Sequence, residues 1–494
     1  MVAFAGVLLG CAAGAMAVSP AAAVSSPSAA TPHWTSGKPL PGLAAIGAEW
    51  AVPFSVSCTG PGDCTLGGEF GTDEPYTQSA PLVATETGGK WGSAKSVPGI
   101  PILAGNQYAA VTSVSCAWPG NCAAVGYYLP KQTPNFAFTG QAFVMDEVNG
   151  TWQRMRPLAG VTKGEGVNAL GPDWPLAVSC APATTSAARK AGLNCLAVGG
   201  DSSGGRSHSF TAQATHGVWG AAQLVTGLSR LDGTRPTQVN TVSCPAPGHC
   251  AIGGYYTDGK GHRQAFVASE VKGAWRNALE VPGTGALNVK GSAETDTVDC
   301  PAAGTCTAAG DYRTKSGAAE FFVVHETAGT WRSAAELPGA ARLGTGAGFV
   351  YNGLSTGDGN VDVACTLANC EIGGTMLTKG GGSVGFLVGE ASGRWGAPHL
   401  VPGGGGSEIT ALSCPAAGQC AAGAISSPDS GASGMVLDQV KGVWGKPVTV
   451  DPTNSLQAGV SALSCAAVRN CAAVGYLAEG EEAGPWATIA SEGQ

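Results

Sequence analysis

The residues best suited by type to do chemistry are acidic. Asp296 and Asp299 share one short segment, Thr295-Asp296-Thr297-Val298-Asp299, and Asp362 lies in a similar segment, Val361-Asp362-Val363. Two carboxyl groups at a suitable separation can act as acid and base on a glycosidic bond. The plainer alternative is that they hydrogen-bond local backbone or face channel water. The pattern Gly-x-Ser-x-Gly occurs around Ser202, Ser355 and Ser383. All three fall in Gly-rich stretches expected to be loops, whereas a nucleophile elbow needs a strand-to-helix turn. Neither His-Glu-x-x-His nor a Gly-Lys-Ser/Thr phosphate loop is present. Asp358-x-Asn360-x-Asp362 looks like half a calcium loop, but the twelfth position holds Asn369 in place of Glu. The expectation is therefore no metal and no cofactor.

Whether these aspartates meet depends on the elements that carry them, and the cysteines give those away. Of seventeen, sixteen form eight local pairs: Cys58/Cys64, Cys116/Cys122, Cys180/Cys195, Cys244/Cys250, Cys300/Cys306, Cys365/Cys370, Cys414/Cys420 and Cys465/Cys471. Regular even pairing in an exported chain points to disulfides. Zinc is disfavoured, because the dominant C-x5-C spacing is not a knuckle and each pair is internal to one repeat.

Around each pair the same order recurs. A short strand such as Ser113-Val114-Ser115 precedes it, and a second follows, as in Cys122-Ala123-Ala124-Val125-Gly126-Tyr127-Tyr128. A polar loop, a third strand and a Gly turn then lead to a fourth strand opening on Trp, as in Gly273-Ala274-Trp275. Connections this short make antiparallel neighbours. Four antiparallel strands per repeat predict an all-β fold, an eight-bladed β-propeller of four-stranded blades. The last repeat ends without a Trp strand, and Trp34 precedes the first cysteine pair. The N-terminal segment Pro32-His33-Trp34 is thus expected to supply the missing outer strand and close the ring, leaving no free edge.

Five third-to-fourth hairpins read Glu-x-x-Gly-x-Trp: Glu86 to Trp91, Glu147 to Trp152, Glu270 to Trp275, Glu326 to Trp331 and Glu390 to Trp395. They resemble the Asp-box hairpin of sialidase-type propellers, with Glu in place of Asp and the Gly one place nearer the Trp. The chain is also similar to exported bacterial propellers of S-V-S-C-x5-C-x-A-V-G-Y repeats, a resemblance that carries no activity. In Asp-box proteins the acid is structural, and here the glutamates are expected to accept backbone N–H bonds in their own turns. Sialidase chemistry is not expected: there is no Arg-Ile-Pro, and no Arg in the segments preceding the first cysteines.

Ligands of propellers usually sit at the funnel mouth. The longest loops leading into inner strands, 157–176 and 337–361, carry Glu165, Asp173, Trp174 and Tyr351; the candidate ligand-binding set is Asp173, Trp174 and Tyr351 with Asp296, Asp299 and Asp362. Tyr127, Tyr128, Tyr255 and Tyr256 end second strands, where they could stack on a sugar or pack against the next blade. The expected function is non-catalytic recognition or scaffolding, binding an extracellular glycan or protein through rim loops. The alternative is a secreted glycan-active hydrolase or lyase using funnel carboxylates.

The charge balance fits an exported monomer without nucleic acid. Only 12% of residues are charged, the net charge is −8 and no Lys/Arg cluster stands out. Residues 1–30 read as a signal segment and flexible leader, with residues 31–494 forming one propeller domain. The apolar stretch Val2 to Val18 ends in Ala21-Ala22-Ala23, a small-residue cleavage site. A rival reading makes Leu8-Leu9-Gly10-Cys11 a lipobox, with a lipid anchor at Cys11. No transmembrane span is expected in the mature chain, which is secreted or held at the cell surface.

Overall fold

In the computed structural model every expected cysteine pair is cross-linked. Cys58 bonds Cys64, Cys116 bonds Cys122, Cys180 bonds Cys195 and Cys244 bonds Cys250. Likewise Cys300 bonds Cys306, Cys365 bonds Cys370, Cys414 bonds Cys420 and Cys465 bonds Cys471. The eight disulfides join the first two strands of eight blades. Where the ladder register is regular the partners face each other directly, as in Cys116↔Cys122 and Cys180↔Cys195. The structure describes residues 33–493 apart from 73–78, 100–107, 129–140, 161–175, 204–205, 233–234, 340–360, 378–382, 402–405, 427–430, 451–456 and 479–485. His33–Gln494 forms one compact unit.

Blade two shows the plan. Its inner strand Ala109–Trp118 pairs with Asn121–Tyr128, which pairs with Gln141–Val148. Two short outer pieces, Thr151–Trp152 and Arg156–Pro157, share the edge of the third strand. A bulge falls in the inner strand of six blades, between Val111 and Ser113 here. It presses a carbonyl onto the glycine that ends the A-V-G motif: a methyl on Gly126 would overlap the Ala110 carbonyl oxygen and the Phe143 ring. Glycine is there because two neighbours occupy the space of a side chain. The aromatic opposite it covers the gap, as in the pairs Gly126↔Phe143, Gly254↔Phe266 and Gly310↔Phe322. These phenylalanines are fully buried.

The blade count and the closure agree with the sequence. Eight sheets of one topology are present, and blade eight consists of Gln457–Ala467, Asn470–Ala478 and Trp486–Gly493 with His33–Trp34 as its outer strand. Lys38–Pro39 pairs with Ile489 and Thr488 beside it.

Three sets of interblade bonds hold the ring. Near the axis, in six blades the serine before the first cysteine accepts the N–H of the next blade's first cysteine: Ser57, Ser115, Ser179, Ser243, Ser413 and Ser464 all do so at 2.9–3.0 Å. The Ser464 bond, to Cys58, ties blade eight to blade one. Farther out, the tryptophans reach back to the third strand of the preceding blade: Trp219 donates to Asp146, Trp331 to Ser269 and Trp34 to Asp438, each at 2.9 Å. At the perimeter, the third residue after the Trp donates its N–H to a carbonyl of the preceding blade, as in Ala94 to Pro41, Met155 to Pro98 and Ala278 to Thr226. In blades six and seven that residue is Pro398 or Pro447, which has no N–H to give.

Candidate functional site

The cysteines are committed to the fold and leave no thiol for chemistry among the described residues. The second member of every pair, Cys64, Cys122, Cys195, Cys250, Cys306, Cys370, Cys420 and Cys471, is buried as well as oxidised. A sulfur in a disulfide is neither a nucleophile nor a zinc ligand, because both roles need the thiolate.

Asp299 and Asp362 stand in the inner ring of hydrogen bonds. Asp299 immediately precedes Cys300, the place held by serine in six other blades, and its Oδ2 accepts the Cys365 N–H at 2.7 Å. Its Oδ1 accepts from the Ser243 hydroxyl at 3.3 Å. Asp362 lies three residues before Cys365, in the place of Ser55 and Ser113, and accepts the Leu412 N–H at 3.0 Å and the Thr297 hydroxyl at 3.2 Å. Both carboxyls are raised by burial; Asp362 is held at about 6, with the nearby Asp299 charge adding to the rise. Asp299 and Asp362 are thus both engaged by main-chain amides of the following blade. Of the half calcium loop, Asp362 has both oxygens hydrogen-bonded, and Asp358 and Asn360 lie outside the described residues.

An interblade role sets a measurable expectation. Asp362→Ala leaves the Leu412 N–H without its acceptor, and is expected to cost about 1–3 kcal/mol of stability, read as a shift in the urea midpoint. An unchanged midpoint would remove Asp362 from the ring of bonds.

Asp296 behaves differently. It is the bulge residue of the inner strand Ala293–Ala302, between Thr295 and Thr297. The same place holds Thr112, Asn240, Thr410 and Ser461 in other blades, and each donates to a carbonyl of the next blade, with Thr112 to Leu176 at 2.8 Å and Asn240 to Thr295 at 3.2 Å. Asp296 puts a carboxyl at a place where these four blades have a hydroxyl or an amide and blade one has Phe54. Beside it are Glu294 and, directly across the ladder from Glu294, Asp311; one carboxylate oxygen of each lies within 4.8 Å of the others. An all-oxygen set suits a hard cation, and three oxygens are about half of what calcium takes.

Sequence reading missed Glu294 and Asp311, although an alignment of the repeats contains the signal. Asp311 takes the place of Tyr127 and Tyr255 in the second strands of blades two and four, opposite Glu294 where those blades have Ala110 and Gln238. Of the expected ligand set, Asp173, Trp174 and Tyr351, with Glu165, lie outside the described residues, as does Cys11. Ser355 lies there too. Ser202 and Ser383 sit at the ends of strands Cys195–Ser203 and Ser383–Ala391 rather than in loops, and neither precedes a helix.

The tyrosines also serve the fold. Tyr255 and Tyr256 are buried; Tyr255 bonds Gln238 and carries the Arg263 guanidinium 4.4 Å from its ring centroid, while Tyr256 bonds Glu280 at 2.8 Å. Tyr127 and Tyr128 are at least partly buried.

The hairpin glutamates are structural by another route than expected. They reach the preceding blade: Glu147 accepts from Thr85 at 2.7 Å, Glu270 from Gln213 at 3.1 Å and Glu326 from the Ser269 hydroxyl. The turn amides are met from the cystine turn, as where Asn149 N–H bonds Asn121 Oδ1 and Gly150 N–H bonds the Gly120 carbonyl.

Among the described residues no helix is long and apolar enough to cross a membrane. No protein-family model and no curated protein matches the chain. Among solved structures, a protein of unknown function from Dyadobacter fermentans is similar with a TM-score of 0.38 and 11% identity, over 73% of this chain and 99% of that one. A polysaccharide lyase described as an ulvan lyase gives 0.41 and 11%, over 74% and 89%. The fucose-binding lectin of Aleuria aurantia gives 0.33 and 14%, over 72% and 97%.

Proposed function

We propose that the protein is a non-catalytic recognition propeller that works outside the cell and binds a glycan or protein ligand at the mouth of its funnel. The Glu294, Asp296 and Asp311 trio carries the reading. One carboxylate oxygen of each lies within 4.8 Å of the others, so the three groups converge. Hydroxyls, a lysine or a bridging cation can be held by convergent carboxylate oxygens. The loops bearing Asp173, Trp174 and Tyr351 are proposed to complete the surface. Export is supported by the small-residue leader and by eight disulfides, which persist in oxidising compartments.

The test is a binding screen of the full-length secreted protein against glycans, cell-wall polysaccharides and surface proteins, paired with an assay for released sugar ends. Binding without product is expected, weakened at least about tenfold in Asp296→Asn. Product released by the wild type and lost in Asp296→Asn would replace recognition with the glycan-active alternative. Binding indifferent to Asp296→Asn and Glu294→Gln would move the ligand off the trio.

A further inference from the structure

The interblade latch has exceptions that share one cause. Four of the five glutamates of the Glu-x-x-Gly-x-Trp hairpins, Glu147, Glu270, Glu326 and Glu390, face the third-strand residue that precedes the same position one blade earlier. Where that residue is neutral or histidine the latch is glutamate: Glu147 meets Thr85, Glu270 meets Gln213, Glu326 meets Ser269, and Glu390 meets His325 at 3.6 Å. Where the preceding blade supplies a carboxylate, the latch changes. Ala214 follows Asp146, which is taken by Trp219 and Arg156. Gln439 follows Glu371, which fills the space beside Gly389, and donates its amide to Glu371 at 2.7 Å. Among the described latches, blade eight alone sets acid against acid: Glu492 follows Asp438.

That interface is also the one closed by the N-terminal strand. Trp34 pairs with Glu492 in register and donates its indole N–H to Asp438 Oδ2 at 2.9 Å. Trp34 and Glu492 are both buried. The charged groups that face Glu492 are Asp438 of blade seven and Arg469 in the cystine turn of blade eight.

We infer that Asp438 and Glu492 form a proton-held lock on the closing strand: a proton on Glu492 keeps the N-terminal strand clamped between blades seven and eight, and its loss loosens the clamp. Burial, then the neighbouring Asp438, raise Glu492 to about 7, against a smaller opposing pull from Arg469. A carboxyl with a raised folded-state pKa adds stability that is full below its unfolded value and is lost as pH rises through the folded one. The lock therefore holds in acid and slackens above about pH 7.

Hydrogen exchange of the full-length protein tests this. After correction for intrinsic rates, amides of residues 33–39 and of Trp486–Gly493 are expected to open about tenfold more at pH 8.5 than at pH 6, while the inner strand of blade two, Ala109–Trp118, which carries no acidic or basic side chain, stays constant. In Glu492→Gln the closing strand is expected to be equally protected at both pH values, and in Asp438→Asn the difference between them is expected to shrink, since burial still raises Glu492. A wild-type closing strand with no pH dependence of its own, or one whose dependence survives both substitutions, would overturn the lock.

Discussion

Replacing Gly254 by alanine is expected to destabilise the protein by about 3 kcal/mol, at the upper end of what overpacking usually costs. The added methyl would overlap the Gln238 carbonyl oxygen and crowd the Val239 Cα. Both are backbone atoms of the bulged inner strand, so no rotamer change relieves the clash. The strand would have to shift, and with it the bulge that sets Asn240 against the Thr295 carbonyl. Gly259, five residues on, is the control: nothing lies within 4 Å of the place a methyl would take there, and its φ is open to any residue. Gly259→Ala is expected to stay within about 0.5 kcal/mol of the wild type. Urea denaturation of the two variants side by side checks the pair; equal midpoints would mean the bulge does not press on the glycine.

Reduction of the disulfides is expected to have the larger effect. Closing a loop of about seven residues is worth roughly 2 kcal/mol in the chain-entropy model, and the blade-three pair, 15 residues apart, about 3 kcal/mol. Eight such links together, even at half strength, approach the ~5–15 kcal/mol by which domains are usually stable. Much of the hydrophobic core around them is made of small side chains, with alanines and valines prominent among the buried residues. The reduced chain is accordingly expected to lose its near-ultraviolet circular dichroism at temperatures where the oxidised protein keeps it. A reduced protein melting with the oxidised one would assign the cystines no share in stability.

The architecture is legible in the sequence because its signals are local. A cysteine pair marks a strand turn within about seven residues, and the displaced Trp34 announces a strand borrowed from the other end. What holds blades together is not legible, because each bond joins residues about one repeat apart, as from Ser57 to Cys116 or Trp331 to Ser269. Asp299 and Asp362 look like chemistry when read singly. Aligned on their cysteines they occupy serine positions, and the structure gives them the work of serine. The hairpin glutamates are structural, as their motif implies, but the partner lies in the preceding blade rather than in the turn. Glu294 and Asp311 escape notice because nothing in either segment alone brings them opposite each other.

The prolines at the perimeter have a mechanical consequence. Pro398 and Pro447 withhold the outer main-chain tie from the junctions on either side of blade six, whose inner strand also has Ala364 where other blades have the bonding serine. Five blades and the closing segment carry tension at the rim; blade six carries it mainly near the axis. The disc is consequently unequal in stiffness, and bending is expected to concentrate at blade six, separated by blade seven alone from the blade in which the two ends of the propeller meet.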